Sequence, residues 1–181
     1  MAQYRSTGDA KKDRFYQSFK QLAGEDNEID AWELQDLLNS VMKRDSDLGD
    51  ANFSIDSCKS MVAMTDSDRS GKLGFEEFMD LWKSILAWRN VFKQFDCDNS
   101  GSFSAKELHL ALSAVGYQLN PKIFAAMVLR YTNKESQITF DNFMACAAKL
   151  RHMYHVFRKY KGSDDKASLG LDEYLRVTIY S

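Results

Sequence analysis

The sequence predicts an all-α protein of five helix–loop–helix repeats built from eight helices, with short two-stranded pairings between loops. Three observations predict it. Two twelve-residue acidic loops, 66–77 and 96–107, repeat one pattern of carboxylates around a central glycine. The apolar residue at their eighth position (Leu73, Phe103) recurs in comparable frames at Ile29, Ile138 and Leu169. Two stretches without Gly or Pro, Phe75 to Phe95 and Phe140 to Tyr160, carry apolar residues at helical spacing and join successive loops as shared helices.

The bulk composition narrows the class. A chain of 181 residues with 44% apolar and 13% aromatic residues is long and apolar enough to bury a core as one domain. With 24 basic against 26 acidic residues the net charge is −2, which supplies no electrostatic footprint for nucleic acid. Cys58, Cys97 and Cys146 are odd in number and widely spaced, a pattern of a reducing compartment rather than a disulfide framework. No apolar run reaches the roughly 18 residues of a membrane span, and residues 1–20 contain no signal-peptide core. A soluble, cytoplasmic protein is therefore expected. Residues 1–13 read as a polar, flexible tail and 14–181 as the folded domain.

The two regular loops carry the chemistry. DSDRSGKLGFEE (66–77) and DCDNSGSFSAKE (96–107) both fit the calcium loop D-x-[DN]-x-[DNS]-G-x₅-E. Calcium takes six to eight oxygens at about 2.3–2.6 Å, so its ligands must converge from one tight turn. Asp66, Asp68 and Ser70 supply side-chain oxygens, Lys72 a backbone carbonyl, and Glu77 a two-oxygen clamp from the exiting helix. Asp96, Asp98, Ser100, Ser102 and Glu107 repeat the set. Gly71 and Gly101 sit where the chain must bend sharply, a conformation that favours a residue without a β-carbon. An acidic surface turn would share the composition, but would not place all of these positions correctly twice.

The remaining frames are less complete. YTNKESQITFDN (131–142) has Tyr131 first, Ser136 in the glycine position and Asn142 last; GSDDKASLGLDE (162–173) begins with Gly162 and has Ala167 at the bend. Both are expected to fold as helix–loop–helix units without metal. AGEDNEIDAWE (23–33) is one residue short and lacks the leading aspartate, so a helix that follows an acidic turn is an equal reading of its residues. Helices are expected at about 10–22, 31–43, 55–65, 75–95, 105–115, 121–131, 140–160 and 170–179, with Asn120–Pro121 a helix start.

Five such repeats, two shared helices and a short first loop resemble the penta-EF-hand proteins, and within them the calpain regulatory domains. The stretches FKQLAGEDNEIDAWEL, SCKSMVAMTDSDRSGKLGFEEFMDLW, FKQFDCDNSG, ITFDNFMAC and LRVTIYS carry the resemblance over most of residues 14–181. It implies three calcium ions per chain, the first held in the short loop by the Ala23 carbonyl, Asp26, Glu28 and the clamp Glu33. It also implies that the fifth hand, unpaired within its chain, joins a second fifth hand through Leu171, Tyr174, Leu175, Thr178 and Ile179, in a homodimer or heterodimer. The implied function is a calcium-binding regulatory and dimerisation domain of a calpain-type cysteine protease, partnered by the catalytic subunit or domains. A groove near Val41, Trp82 and Ile85 would take a calpastatin-like amphipathic helix.

Alternatives stay open. A sorcin-like adaptor would show calcium-dependent association with membranes or target peptides, and a calcium buffer would bind tightly with little change of surface. Met61, Met64, Met79 and Met144 fit either an adaptable surface or plain core. His109, His152 and His155 lack zinc spacing with cysteine. No nucleophile with a marked base, P-loop or hydrolase motif appears, so no catalytic residue is expected.

Overall fold

The computed structural model describes residues 10–42 and 52–180; the polar leader before Ala10 and the end of the second expected helix at residue 43 lie outside the described residues. Among the described residues eight helices follow in order: α1 (Ala10–Leu22), α2 (Ala31–Met42), α3 (Ile55–Thr65), α4 (Phe75–Phe95), α5 (Ala105–Ala114), α6 (Pro121–Tyr131), α7 (Phe140–Tyr160) and α8 (Leu171–Tyr180). The boundaries follow the capping chemistry. Ser54 accepts the Ser57 N–H at the start of α3, and Asn120 accepts the Lys122 N–H beside Pro121 at the start of α6. At α2 Asp30 accepts the Trp32 and Glu33 N–H groups, while Glu33 accepts the Asp30 N–H in return. Ser104 and Glu107 make the same reciprocal pair at α5.

The loops pair as the repeat pattern predicts. Ile29 and Leu73 exchange backbone hydrogen bonds of 2.9 and 2.8 Å, joining the first two hands. Strand β1 (Ser102–Phe103) runs antiparallel to β2 (Ile138–Thr139), with Phe103 opposite Ile138, and joins the third and fourth. All four of these eighth-position residues are fully buried. The fifth loop instead folds on itself: Lys161 bridges Ala167, and the Gly162 N–H donates to the Lys166 carbonyl at 2.8 Å. Its own eighth residue, Leu169, is only half-buried.

One continuous core holds the hands together, and aromatic rings form much of it. Phe92 of α4 lies against Phe103, Phe140 and Phe143, with ring centroids 4.3, 5.0 and 5.7 Å away. At the other end of α4, Phe78 and Phe75 pack on Phe15 and Phe19 of α1. Helix α7 runs along α3 and touches α4 and α6, so it is the spine of the molecule. Its apolar stripe is buried through Phe143, Ala147 and Leu150, then emerges at Tyr154 and at Phe157, which is exposed. Met61 and Met144 are fully buried, so these two methionines are core.

Candidate metal centres

The regular loops are small cages of backbone donors around carboxylates. In loop 66–77 Asp66 accepts the N–H groups of Ser70 at 3.1 Å and Gly71 at 2.8 Å, and Asp68 accepts the Ser70 N–H at 3.0 Å. In loop 96–107 Asp96 takes the Ser100 and Gly101 N–H groups, and Asp98 takes the Ser100 N–H, at 2.9–3.0 Å. Gly71 and Gly101 hold φ of 82° and 74°, the left-handed region where a β-carbon is strained. That bend turns the amide of the glycine itself back onto the leading aspartate.

The clamp glutamates close each loop from the following helix. Glu77 accepts the Ser67 N–H and hydroxyl on one oxygen and the Gly74 N–H on the other. Glu107 accepts Cys97 N–H at 3.0 Å on Oε1, and Ser104 N–H and hydroxyl at 2.8 and 2.7 Å on Oε2. Ser67, Gly74 and Ser104 are therefore orienting residues that the ligand pattern alone does not reveal.

Whether these donors fit calcium is a matter of distance and hardness. Asp66, Asp68 and Glu77 each offer an oxygen, and so do Asp96, Asp98 and Glu107, with the atoms of each trio within 4.8 Å of one another. Ligands at about 2.3–2.6 Å from a shared ion lie no more than about 5 Å apart, so both trios fit. Ser70 and Ser100 donate hydroxyls to the carbonyls of Lys72 and Ser102 at 3.1 and 2.8 Å, which brings those ligand oxygens to the same point. The set is all oxygen, as a hard cation requires. Burial pushes the Asp96 carboxyl upward, opposed by the Gly101 and Ser100 amides and reinforced by Asp98. Hydrogen bonds from Ser70 and Ser100 pull Asp68 and Asp98 the other way.

The short first loop is arranged differently. Ala23 is buried and Glu28 and Glu33 are half-buried, but Asp26 is exposed and ion-paired with Lys72 of the second loop. That pair lowers the Asp26 carboxyl and raises the Lys72 amine. Among the described residues, the acidic clusters of metal-binding geometry are the two regular loops, and 23–33 does not form a third. The fourth loop is closed by Asn133, whose side chain accepts the Glu135 and Gln137 N–H groups at 3.0 and 2.8 Å. An amide of the loop's own thus holds the turn.

The surface residues implied by resemblance fall unevenly. Leu171, Tyr174, Leu175, Thr178 and Ile179 all lie exposed on α8, whose Val177 alone among its described residues is buried. Val41 is exposed and Trp82 half-buried, but Ile85 is fully buried and belongs to the core rather than to a groove wall.

The comparisons with known proteins agree with this architecture. Residues 25–85 match the model of an EF-hand domain pair and residues 87–116 that of an EF-hand domain, so these helix–loop–helix units are EF-hands. A solved homolog of programmed cell death 6 protein from Leishmania major Friedlin superposes with a TM-score of 0.66, covering 97% of this chain and 92% of that one; at 21% identity the likeness is one of fold. Human calpain small subunit 2 is 42% identical over 169 residues, 93% of this chain and 68% of that protein. Rat calpain small subunit 1 is 42% identical over 169 residues, and there the match spans 63% of the relative's length. The chain belongs to the calpain small-subunit family of penta-EF-hand proteins. As a member it is a calcium-binding regulatory domain and not an enzyme.

Proposed function

We propose that this chain is the calcium-responsive regulatory and dimerisation domain of a cytoplasmic, calpain-type cysteine protease, paired with a catalytic subunit. The observation that carries the proposal is the pair of convergent carboxylate trios in loops 66–77 and 96–107, which flank one shared helix. The relatives named as calpain small subunits supply the partner class. The working domain includes residues 10–13, assigned to the tail from the sequence, because they open α1 and Lys12 pairs with Glu76 of α4 at 2.8 Å.

Three ions per chain are proposed. Asp66, Asp68, Ser70, the Lys72 carbonyl and Glu77 hold one; Asp96, Asp98, Ser100, the Ser102 carbonyl and Glu107 hold another. The third occupies the short loop through the Ala23 carbonyl, Asp26, Glu28 and Glu33, which requires Asp26 to leave Lys72. A bound calcium ion supplies a hard positive centre that neutralises the clustered carboxylates. Glu77 and Glu107, sitting on exit helices, carry that local change into α4 and α5. The exposed α8 face built on Leu171, Tyr174, Leu175, Thr178 and Ile179 is the dimer contact, since such apolar faces are usually covered.

Native mass spectrometry with calcium present tests both parts. The expected species is a dimer with three ions per chain, and Glu33→Ala, Glu77→Ala and Glu107→Ala each lose one ion. Glutamate substitutions at Leu175 and Ile179 are expected to give a folded monomer with the ion count intact. A dimer that survives both charges, or a wild-type chain with two ions at saturating calcium, would refute the corresponding part.

A further inference from the structure

A cavity of about 450 Å³ opens between α4, the turn after α5 and the C-terminal half of α7, and it shares no residue with the two carboxylate loops. Trp88 forms its buried floor. Tyr117 and Tyr154 wall it, their rings meeting edge to face with centroids 5.1 Å apart. Arg151, His155 and Arg158 line its α7 side, and no aspartate or glutamate among the described residues lines it. The surrounding charge reinforces this. From Asn142 to Lys161 the sequence has five lysines and arginines, two histidines and no acidic residue, within a chain of net charge −2.

Among the described residues, neither guanidinium group has an anionic partner at ion-pair distance. Arg151 donates through Nη1 to the Ser84 hydroxyl at 2.7 Å, and Ser84, buried on α4, donates to the Asp80 carbonyl at 2.8 Å. This anchor holds one edge of the guanidinium and leaves its remaining N–H groups without a protein acceptor among the described residues. Arg158 has no carboxylate partner among the described residues either. Both charges act on the Tyr117 ring: burial pushes its phenol up, and Arg151 and Arg158 pull it down.

We propose that this cavity binds a planar aromatic group carrying a phosphate, with the ring against Trp88 and Tyr117 and the phosphate between Arg151 and Arg158. Guanidinium forks match phosphate oxygens in pairs, and two of them match the charge of a phosphate monoester better than that of one carboxylate. The aromatic walls favour a flat ring over an aliphatic chain by offset and edge contacts. The volume falls within the roughly 300–1,000 Å³ of small-ligand sites. Two sources share this chemistry, a phosphorylated tyrosine side chain and a nucleoside monophosphate.

The test is an NMR titration of the full chain, at constant ionic strength, with inorganic phosphate, phenyl phosphate, adenosine monophosphate and a short phosphotyrosine peptide. Saturable shifts are expected at the Gly116 and Tyr117 amides and the Trp88 indole, with phenyl phosphate binding at least about tenfold tighter than inorganic phosphate. Arg158→Gln should weaken phenyl phosphate about tenfold or more, and Arg151→Gln likewise, while Lys122→Gln on the distant α6 changes nothing. Arg158 is exposed and makes no hydrogen bond or ion pair with a described residue, so its variant decides the matter if loss of the Ser84 anchor perturbs the other. The tighter of the nucleotide and the peptide identifies the source, and either supports the proposal. Equal binding of phenyl and inorganic phosphate, or unchanged affinity in Arg158→Gln, would overturn it.

Discussion

Asp26 is exposed at the short first loop and ion-paired outside it. Its carboxylate faces Lys72 across the paired loops, so the ammonium competes with any ion at the short loop. Lys72→Met is therefore expected to tighten calcium at that loop a few-fold and to leave loop 96–107 unchanged, by calorimetric titration. The cysteines differ as sharply. Burial pushes the Cys58 and Cys146 thiols up to about 12, with Asp141 adding to the shift at Cys58, whereas Cys97 is exposed in its loop. Only the thiolate reacts, so a thiol reagent at neutral pH should titrate one group in the folded chain and three after denaturation. More than one fast-reacting thiol in the native protein would show that α3 or α7 opens. The carboxylates of loops 66–77 and 96–107 were legible because every ligand lies within twelve residues of the first. The Asp26–Lys72 pair was not, because it depends on how two loops dock 46 residues apart.

At the scale of elements, the helices were legible where local chemistry sets their ends. Asn120 caps α6 with Pro121 behind it, and Asn120→Ala should lower stability by about 1 kcal/mol in urea denaturation. An undetectable change would mean that packing alone holds α6. The surfaces of the elements were less legible, because helical spacing gives a stripe but not what covers it. Ile85 and Phe157 both continue stripes in the sequence, yet Ile85 is sealed in the core and Phe157 faces out. The difference lies in the neighbours that tertiary packing supplies. Similarly, the frame of loop 131–142 was readable, but the Asn133 closure that substitutes for a leading aspartate has no pattern of its own.

Across the whole molecule, Phe92 is the point where α4, β1 and α7 meet. Phe92→Ala is expected to cost about 3–5 kcal/mol and to lower the midpoint of both halves together, seen by tryptophan fluorescence and circular dichroism. Two separated transitions would show that the paired hands fold as independent units. The architecture of five hands was visible in the sequence because each repeats an apolar eighth residue. The aromatic cavity below Arg151 was not, since Trp88, Tyr117 and Tyr154 come from three segments with no shared motif.

Helix α4 ties these scales together. Glu77 sits in its first turn and Asp96 immediately follows its last residue, in a helix of 21 residues. At 1.5 Å per residue that is a rod of about 30 Å with a cage at each end. If an ion draws Glu77 further onto its loop, a tilt of this helix is expected to displace its far tip and to alter the geometry offered at Asp96. The two cages would then act like the pans of a balance on a common beam, the loading of one felt at the other.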